Sequence, residues 1–182
     1  MDNQVRERGA VGYVLGAEPR FQKPDRLTKM AILGLLSLPK DGEWTHQTFD
    51  LVLTPSGTPT LTADNVADYI DELFLIEVKA TRKAIRNVAL NGFFFGTTDR
   101  QYQLARAAQG RYRYAFVVDN VDNDYGARFY VLLTVEQVDA RTKSKRLQFQ
   151  VSFRNDMEPE PGVSPSTIPS ELLAQAKIKE DT

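Results

Sequence analysis

Alternating apolar and polar side chains mark the strands of this chain. In Leu73–Thr81 every even-numbered position is apolar, whereas the odd-numbered positions include Glu77 and Lys79. We expect the apolar face of this strand to pack on the core and the charged face to look out. Shorter apolar segments predict further strands over Phe49–Leu53, Tyr112–Val118, Phe129–Val138 and Leu147–Phe153, and a buried strand end at Phe93–Phe95.

Apolar side chains spaced three and four residues apart predict helices between these strands. The range Asp25–Leu36 has a broad apolar face and begins with an aspartate that can cap it. The range Thr98–Gln109 begins with a Thr-x-x-Gln capping box and is followed by a glycine. Weaker patterns predict helices over Gln4–Leu15 and Asp64–Asp71. Strands and helices in this order favour an α/β or α+β domain with a mixed sheet.

The C-terminal end differs in composition from the rest of the chain. Residues 155–182 hold 2 basic and 6 acidic side chains, and prolines recur between Pro159 and Pro169. The segment Ser170–Lys179 has a pattern compatible with a short helix. We therefore expect one domain over residues 1–155 and a proline-rich acidic tail over residues 156–182.

Composition excludes several kinds of site. The 182 residues include no cysteine and one histidine, His46, so a disulfide framework, a thiolate zinc site and a cysteine nucleophile are excluded. No nucleophile-elbow motif accompanies His46, which we interpret as a surface residue. No apolar stretch approaches the roughly 18 residues of a membrane span, and the N-terminus does not resemble a secretory signal. We expect a cytoplasmic protein that does not bind membranes.

Charge is unevenly distributed along the chain. The net charge of −1 argues, taken alone, against a nucleic-acid-binding protein. However, residues 82–154 hold 13 basic and 6 acidic side chains, whereas residues 1–81 hold 8 and 12. The middle of the chain is therefore basic enough to favour a polyanion.

The charged positions of the strand 73–81 suit phosphodiester hydrolysis. Glu77 and Lys79 project to the same face, so the carboxylate can bind a hard divalent cation while the ammonium holds the attacking water or the scissile phosphate. A second carboxylate is needed. Asp50 can supply it if the segments 49–53 and 73–81 pair as a hairpin, with Asp64 and Asp71 as alternatives. The competing interpretation is a solvated strand face with a simple ion pair.

These segments resemble a known nuclease family. Phe49-Asp50-Leu51-Val52-Leu53, followed by Leu75-Ile76-Glu77-Val78-Lys79-Ala80-Thr81, is similar to the PD-(D/E)xK superfamily of restriction-endonuclease-like and Holliday-junction-resolvase-like enzymes. The resemblance covers residues 1–120, and Phe49 stands where the family commonly has proline. It implies an α/β restriction-endonuclease-like fold, with a mixed central sheet flanked by helices, to which the later segments would add C-terminal strands.

The resemblance also implies roles for individual residues. Asp50 and Glu77 would bind Mg²⁺, or Mn²⁺ in its place, and Lys79 would assist the water. Some members use a glutamine from the helix after the motif, for which Gln101 is a candidate with Gln103 as the alternative, and an acidic residue from the first helix, which Glu7 matches by position. Basic side chains after the motif are expected to contact DNA phosphates: Arg82, Lys83, Arg86 and Arg100.

Two functional hypotheses follow from these observations. The first is a Mg²⁺-dependent DNA endonuclease acting in restriction, phage defence, or DNA repair and recombination. A chain of this size leaves little room beyond a nuclease core, so we expect a homodimer or a protein partner that supplies targeting. The second hypothesis is a non-catalytic subunit that uses the same fold to bind nucleic acid or a protein partner. A metal-free sugar or lipid carrier has no support in the sequence.

Overall fold

The computed structural model describes residues 3–39, 42, 44–81, 85, 88–108, 110–119 and 128–142, with side chains from residue 8 onward. The chain divides into two units, Met1–Lys143 and Ser144–Thr182, and every described residue lies in the first. The α-helices in that part are α1 (Asn3–Ala17), α2 (Arg26–Leu35), α3 (Asp99–Ala107) and α4 (Val135–Arg141). The strands are β1 (Phe21–Gln22), β2 (Leu51–Leu53), β3 (Phe74–Thr81), β4 (Tyr112–Val118) and β5 (Phe129–Thr134).

The five strands form one mixed sheet in the order β1-β2-β3-β4-β5. Strands β3 and β4 are parallel, and the other neighbouring pairs are antiparallel. Two parallel strands need a crossover connection, which here contains α3. The expected α/β architecture with a mixed sheet is therefore confirmed, and β3 lies at the centre of the sheet.

Both faces of the sheet are covered. On one face, β3 and β4 contribute Ile76, Val78, Ala115 and Val117 to an apolar cluster with Val14 of α1. On the other face, the cluster contains side chains from α2 and α3 together with those of the sheet, including Ile32, Leu33, Leu75, Leu104, Tyr112 and Tyr114. The prediction that the charged face of β3 looks out is therefore wrong. Glu77 is only 2% exposed, because helices pack over this face as well.

The helices predicted over Gln4–Leu15, Asp25–Leu36 and Thr98–Gln109 correspond to α1, α2 and α3, with local differences. Asp25 caps α2 by accepting a hydrogen bond from the Thr28 amide at 2.7 Å, as expected. The apolar face of α2 is only partly buried. Ile32 and Leu33 lie in the core, whereas Leu27 is 70% exposed, because a helix on the surface of a sheet presents one side to it. In place of the predicted helix Asp64–Asp71 the chain forms two short 3₁₀ turns, Val66–Asp68 and Ile70–Glu72.

Two predicted strands differ from the structure. Phe93–Phe95 is not a strand: the rings of Phe93 and Phe95 pack on Phe116, each with centroids 5.0 Å apart, and Phe94 is 80% exposed. The predicted strand Phe129–Val138 ends at Thr134, because the Thr134 hydroxyl and the Gln137 side chain form a capping box that starts α4. The predicted strand Leu147–Phe153 and the tail 156–182 lie outside the described residues.

The helix before β4 ends at Ala107, two residues before the predicted end at Gln109. Gly110 has a φ of +86°, a left-handed conformation that glycine adopts without steric strain, and it follows α3 within three residues. Among the described residues, no helix combines the length and the apolar character that crossing a bilayer requires.

Candidate active site

The pairing of β2 with β3 places Asp50 beside Glu77. The regular pairing of β2 with β3 ends at Leu51 and Ile76, and Asp50 lies directly before β2, next to this pair. The Asp50 amide donates to the Ile76 carbonyl at 2.9 Å, and Asp50 Oδ2 accepts from the Val78 amide at 2.8 Å. The backbone of β3 therefore holds Asp50, whose carboxylate lies at the peptide group between Glu77 and Val78.

Glu77 is the centre of a buried polar network. Its Oε1 atom accepts a hydrogen bond from Lys79 Nζ at 2.7 Å and another from Gln101 Nε2 at 2.6 Å. Lys79 Nζ also lies 3.3 Å from Gln101 Oε1. The exposed fractions of the Glu77 and Lys79 side chains are 3% and 13%. A solvated strand face does not describe this pair, because the carboxylate is buried.

Gln101 has two roles at once. Its Oε1 accepts from the Thr98 amide at 3.0 Å, and the Thr98 hydroxyl accepts from the Gln101 amide at 3.2 Å, which is the predicted capping box. Its Nε2 group donates to Glu77 from the same position. The two interpretations of Gln101, a helix cap and a site residue, are therefore compatible. The alternative, Gln103, is exposed and donates to Asp99.

The other acidic candidates lie apart from this network or cannot be placed in it. The Asp71 side chain is 90% exposed and pairs with Arg111 at 3.1 Å, and Asp64 is exposed. Glu7 belongs to α1, but its side chain lies outside the described part of the structure. Asp50 is therefore the carboxylate that the described side chains bring next to Glu77.

The basic candidates divide into three groups. Arg82, Lys83 and Arg86 lie outside the described residues. Arg100 is exposed on α3, next to Gln101 in sequence. The wider basic block was also expected to face a polyanion, but three of its guanidinium groups instead make contacts within the domain: Arg106 pairs with Asp139, Arg111 with Asp71, and Arg113 with the Gly110 carbonyl and the ring of Phe74. The Arg106 and Arg111 side chains are 50% and 34% exposed, so the expectation that the basic block faces a polyanion stays a prediction.

One charged residue of this region is not apparent from the motif. Lys29 of α2 is partly buried, donates from Nζ to the Phe49 carbonyl at 2.6 Å and lies 5.0 Å from the centre of the Phe49 ring. Burial lowers the pKa of Lys29, and the negative charges of Asp50 and Glu77 oppose that lowering. In the sequence, Lys29 stands three residues before Ile32 and four residues before Leu33. This spacing places it on the face of α2 that packs on the sheet.

A buried tyrosine supports the same segment from β4. The Tyr112 hydroxyl donates to the Thr48 carbonyl at 2.8 Å, two residues before Asp50. Burial raises the pKa of Tyr112 well above its usual range, so the phenol stays protonated and remains a donor. The chain that leads into β2 is thus held from α2 and from β4.

The donor set suits a hard divalent cation. Mg²⁺ in proteins is commonly held by one or two carboxylates, with water and substrate phosphate oxygens completing its shell. Asp50, directly before β2, and Glu77, in β3, could provide two such carboxylates. Within the described ranges no group of three or more acidic, histidine or cysteine side chains is arranged to hold a metal ion. Two carboxylates would leave the remaining positions around such a cation to water and substrate oxygens.

Comparisons with protein-family models, with curated proteins and with solved structures found no match to this chain. The nuclease resemblance therefore depends on the D…ExK residues themselves and on the arrangement of the elements that carry them.

Proposed function

We propose that this protein is a Mg²⁺-dependent DNA endonuclease with a restriction-endonuclease-like fold. One observation carries the proposal: the buried Glu77 carboxylate lies within hydrogen-bonding distance of Lys79 and Gln101, and the Asp50 carboxylate is held at the peptide group that follows Glu77. We propose that such an enzyme acts in restriction, in phage defence, or in DNA repair and recombination.

The order of the elements supports the proposal. The PD-(D/E)xK family places its motif on a β-hairpin and then runs a helix and a strand across the sheet. In this chain Asp50 directly precedes β2, which pairs antiparallel with the ExK strand β3; α3 follows, and β4 pairs in parallel with β3. Because α3 crosses back over this face, its first turn brings Gln101 to Glu77.

Each residue would have a defined task during hydrolysis. Asp50 and Glu77 would hold Mg²⁺, which when bound supplies positive charge to the phosphate and lowers the pKa of water. The Lys79 ammonium, beside the Glu77 carboxylate, would hold the attacking water or the scissile phosphate and offset the charge that grows on the phosphate oxygens. Gln101 fixes the orientation of the carboxylate, and Arg100 would contact the DNA backbone.

The decisive experiment measures cleavage of duplex, single-stranded and branched DNA, and of RNA, with Mg²⁺, with Mn²⁺ and with a chelator. We expect Lys79→Ala and Glu77→Gln to lose at least about a hundredfold in rate, since each removes a group that acts on the transition state. Lys23→Ala and Glu72→Gln are matched controls, because both residues are exposed, and they should cut like the wild type. Equal cleavage by the site variants would refute the proposal.

The same samples test the alternative hypotheses. Binding of DNA without cleavage, under every metal condition, would indicate a non-catalytic nucleic-acid-binding subunit instead. Faster cleavage of RNA than of DNA would correct the substrate class. Light scattering tests the proposed homodimer or targeting partner: a lone monomer that cuts both strands at one defined site would contradict it.

A further inference from the structure

Lys29 and the peptide bond before Asp50 form a contact that the D…ExK motif does not include. Lys29 Nζ donates to the Phe49 carbonyl at 2.6 Å. The amide of the same peptide group, which belongs to Asp50, donates to the Ile76 carbonyl at 2.9 Å. Both polar ends of the Phe49–Asp50 peptide group are thus held, one by α2 and the other by β3.

The surroundings of Lys29 fix its position. Asp25 caps α2, while Ile32 and Leu33 are in the core, so the helix that carries Lys29 is anchored at its start and along its buried side. The Lys29 ammonium lies near the Phe49 ring, and that ring is fully buried. A hydrogen bond from such a side chain restrains its acceptor, because neither group can move without disturbing the packing.

We propose that Lys29 is a positioning residue for Asp50. By holding the Phe49 carbonyl, it orients the peptide group from which Asp50 projects, so that the Asp50 carboxylate stays against the Val78 amide, next to Glu77 in the chain. A lysine suits this task better than a neutral donor, because its positive charge also reduces the repulsion between the Asp50 and Glu77 carboxylates. The consequence for catalysis rests on the proposed function, whereas the placement of Asp50 does not.

The hydrogen bond from the Val78 amide to Asp50 Oδ2 provides a readout that requires neither metal nor DNA. Amide hydrogen exchange, measured by NMR on the full chain, compares the wild type with Lys29→Met, which keeps an aliphatic side chain but removes the donor and the charge. We expect the Val78 amide to exchange about tenfold faster in this variant, since local opening of one hydrogen bond is enough to expose it. The amides of Ala115 and Val117, in the middle of β4, should not change.

Two further variants complete the design. Lys29→Arg keeps the charge and the donors and should restore slow exchange at Val78, and Lys23→Met removes an exposed lysine from the same region and should have no effect. Should Lys29→Met not fold, Lys29→Gln is measured in the same way. Unchanged exchange at Val78 in the folded variant would overturn the proposal. Equal acceleration at Val78, Ala115 and Val117 would also overturn it, because that result indicates general destabilisation.

A second readout connects the proposal to the activity. We expect Lys29→Met to lower kcat for DNA cleavage by about tenfold to a hundredfold, because small displacements of a reacting group have effects of this size. KM for DNA should stay within about twofold, since Lys29 contacts the chain and not the substrate, and Lys29→Arg should recover most of kcat. Faster exchange at Val78 in a protein whose wild type cuts no nucleic acid would refute the nuclease function and leave the positioning role of Lys29 intact.

Discussion

The ion pair between Lys79 and Glu77 has a measurable consequence for stability. Its Nζ and Oε1 atoms are 2.7 Å apart, and the side chains are 13% and 3% exposed. The variant Lys79→Met keeps the aliphatic part of the side chain but removes the cation beside a buried carboxylate. Removing one member of a buried pair costs about 3–5 kcal/mol, since the remaining charge has been taken out of water. Because Gln101 still donates to Glu77 at 2.6 Å, we expect about 3 kcal/mol.

The reverse substitution should cost less. In Glu77→Gln the remaining charge is that of Lys79, whose side chain is long and partly exposed and can turn its ammonium toward solvent. We expect a loss of about 1–2 kcal/mol from the changed hydrogen bonds. The double variant contains neither charge, so its loss should fall well below the sum of the single losses. The expected coupling between the two residues is about 2 kcal/mol.

Urea unfolding of the four proteins measures this coupling. The m-values should agree among them, so that shifts in the midpoint report the free energy of unfolding. The matched control is the pair Arg111–Asp71, in which the Asp71 side chain is 90% exposed, with the variants Arg111→Met and Asp71→Asn. Its coupling should be much smaller, as for other solvent-exposed pairs. Additive losses at Lys79 and Glu77, within about 0.5 kcal/mol, would refute the reasoning, because independent groups behave in that way.

Further predictions concern the capping box and the buried tyrosines. We expect Thr98→Ala to lose about 1 kcal/mol of stability in thermal unfolding. This variant should also cut DNA more slowly, because Gln101 loses an anchor. The control Thr134→Ala makes the same change in the other capping box and should lose similar stability but keep its activity. Burial raises the pKa of Tyr114 to about 12 and also raises that of Tyr112, so the contribution of these two phenols to stability should be constant well below pH 10 and fall as pH rises from 10 toward 12. Tyr114→Phe should reduce this fall in stability. In an ultraviolet titration of the folded protein, some tyrosines should ionise at a higher pH than the others. A single transition near pH 10 would contradict this prediction.

The elements that the sequence predicts best are those whose local pattern has one interpretation. The alternation in 73–81 and the run 112–118 predict β3 and β4 almost to the residue, because strands in the middle of a sheet are defined by their own apolar positions. The approach of Asp50 to the Glu77 segment was also predictable, since a hairpin between consecutive strands follows from their closeness in the chain. The capping box of α3 is also predicted by a local pattern. The contact of its Gln101 with Glu77 depends instead on the crossover from β3 to β4.

The remaining features depend on tertiary packing. The burial of Glu77 could not be predicted from alternation, because a polar residue on a strand normally indicates solvent and the covering helices α2 and α3 are distant in sequence. Lys29 was missed for the same reason: its partner is a backbone carbonyl 20 residues later, and no side-chain pattern marks such an acceptor. The strand predicted over Phe129–Val138 ends at Thr134, where α4 begins. The capping box therefore determines the structure at this point, although the apolar stretch continues.

The central position of β3 restricts how this sequence can change in evolution. Successive residues of β3 point to opposite faces, with Ile76 and Val78 under α1 and Glu77 between them on the other face. Inserting or deleting one residue before position 77 would turn Glu77 and Lys79 into the apolar layer beneath α1 and bring isoleucine and valine to Asp50. Related sequences should therefore vary in length only in the connections, such as the segment between β2 and β3, and keep the length of β3 constant.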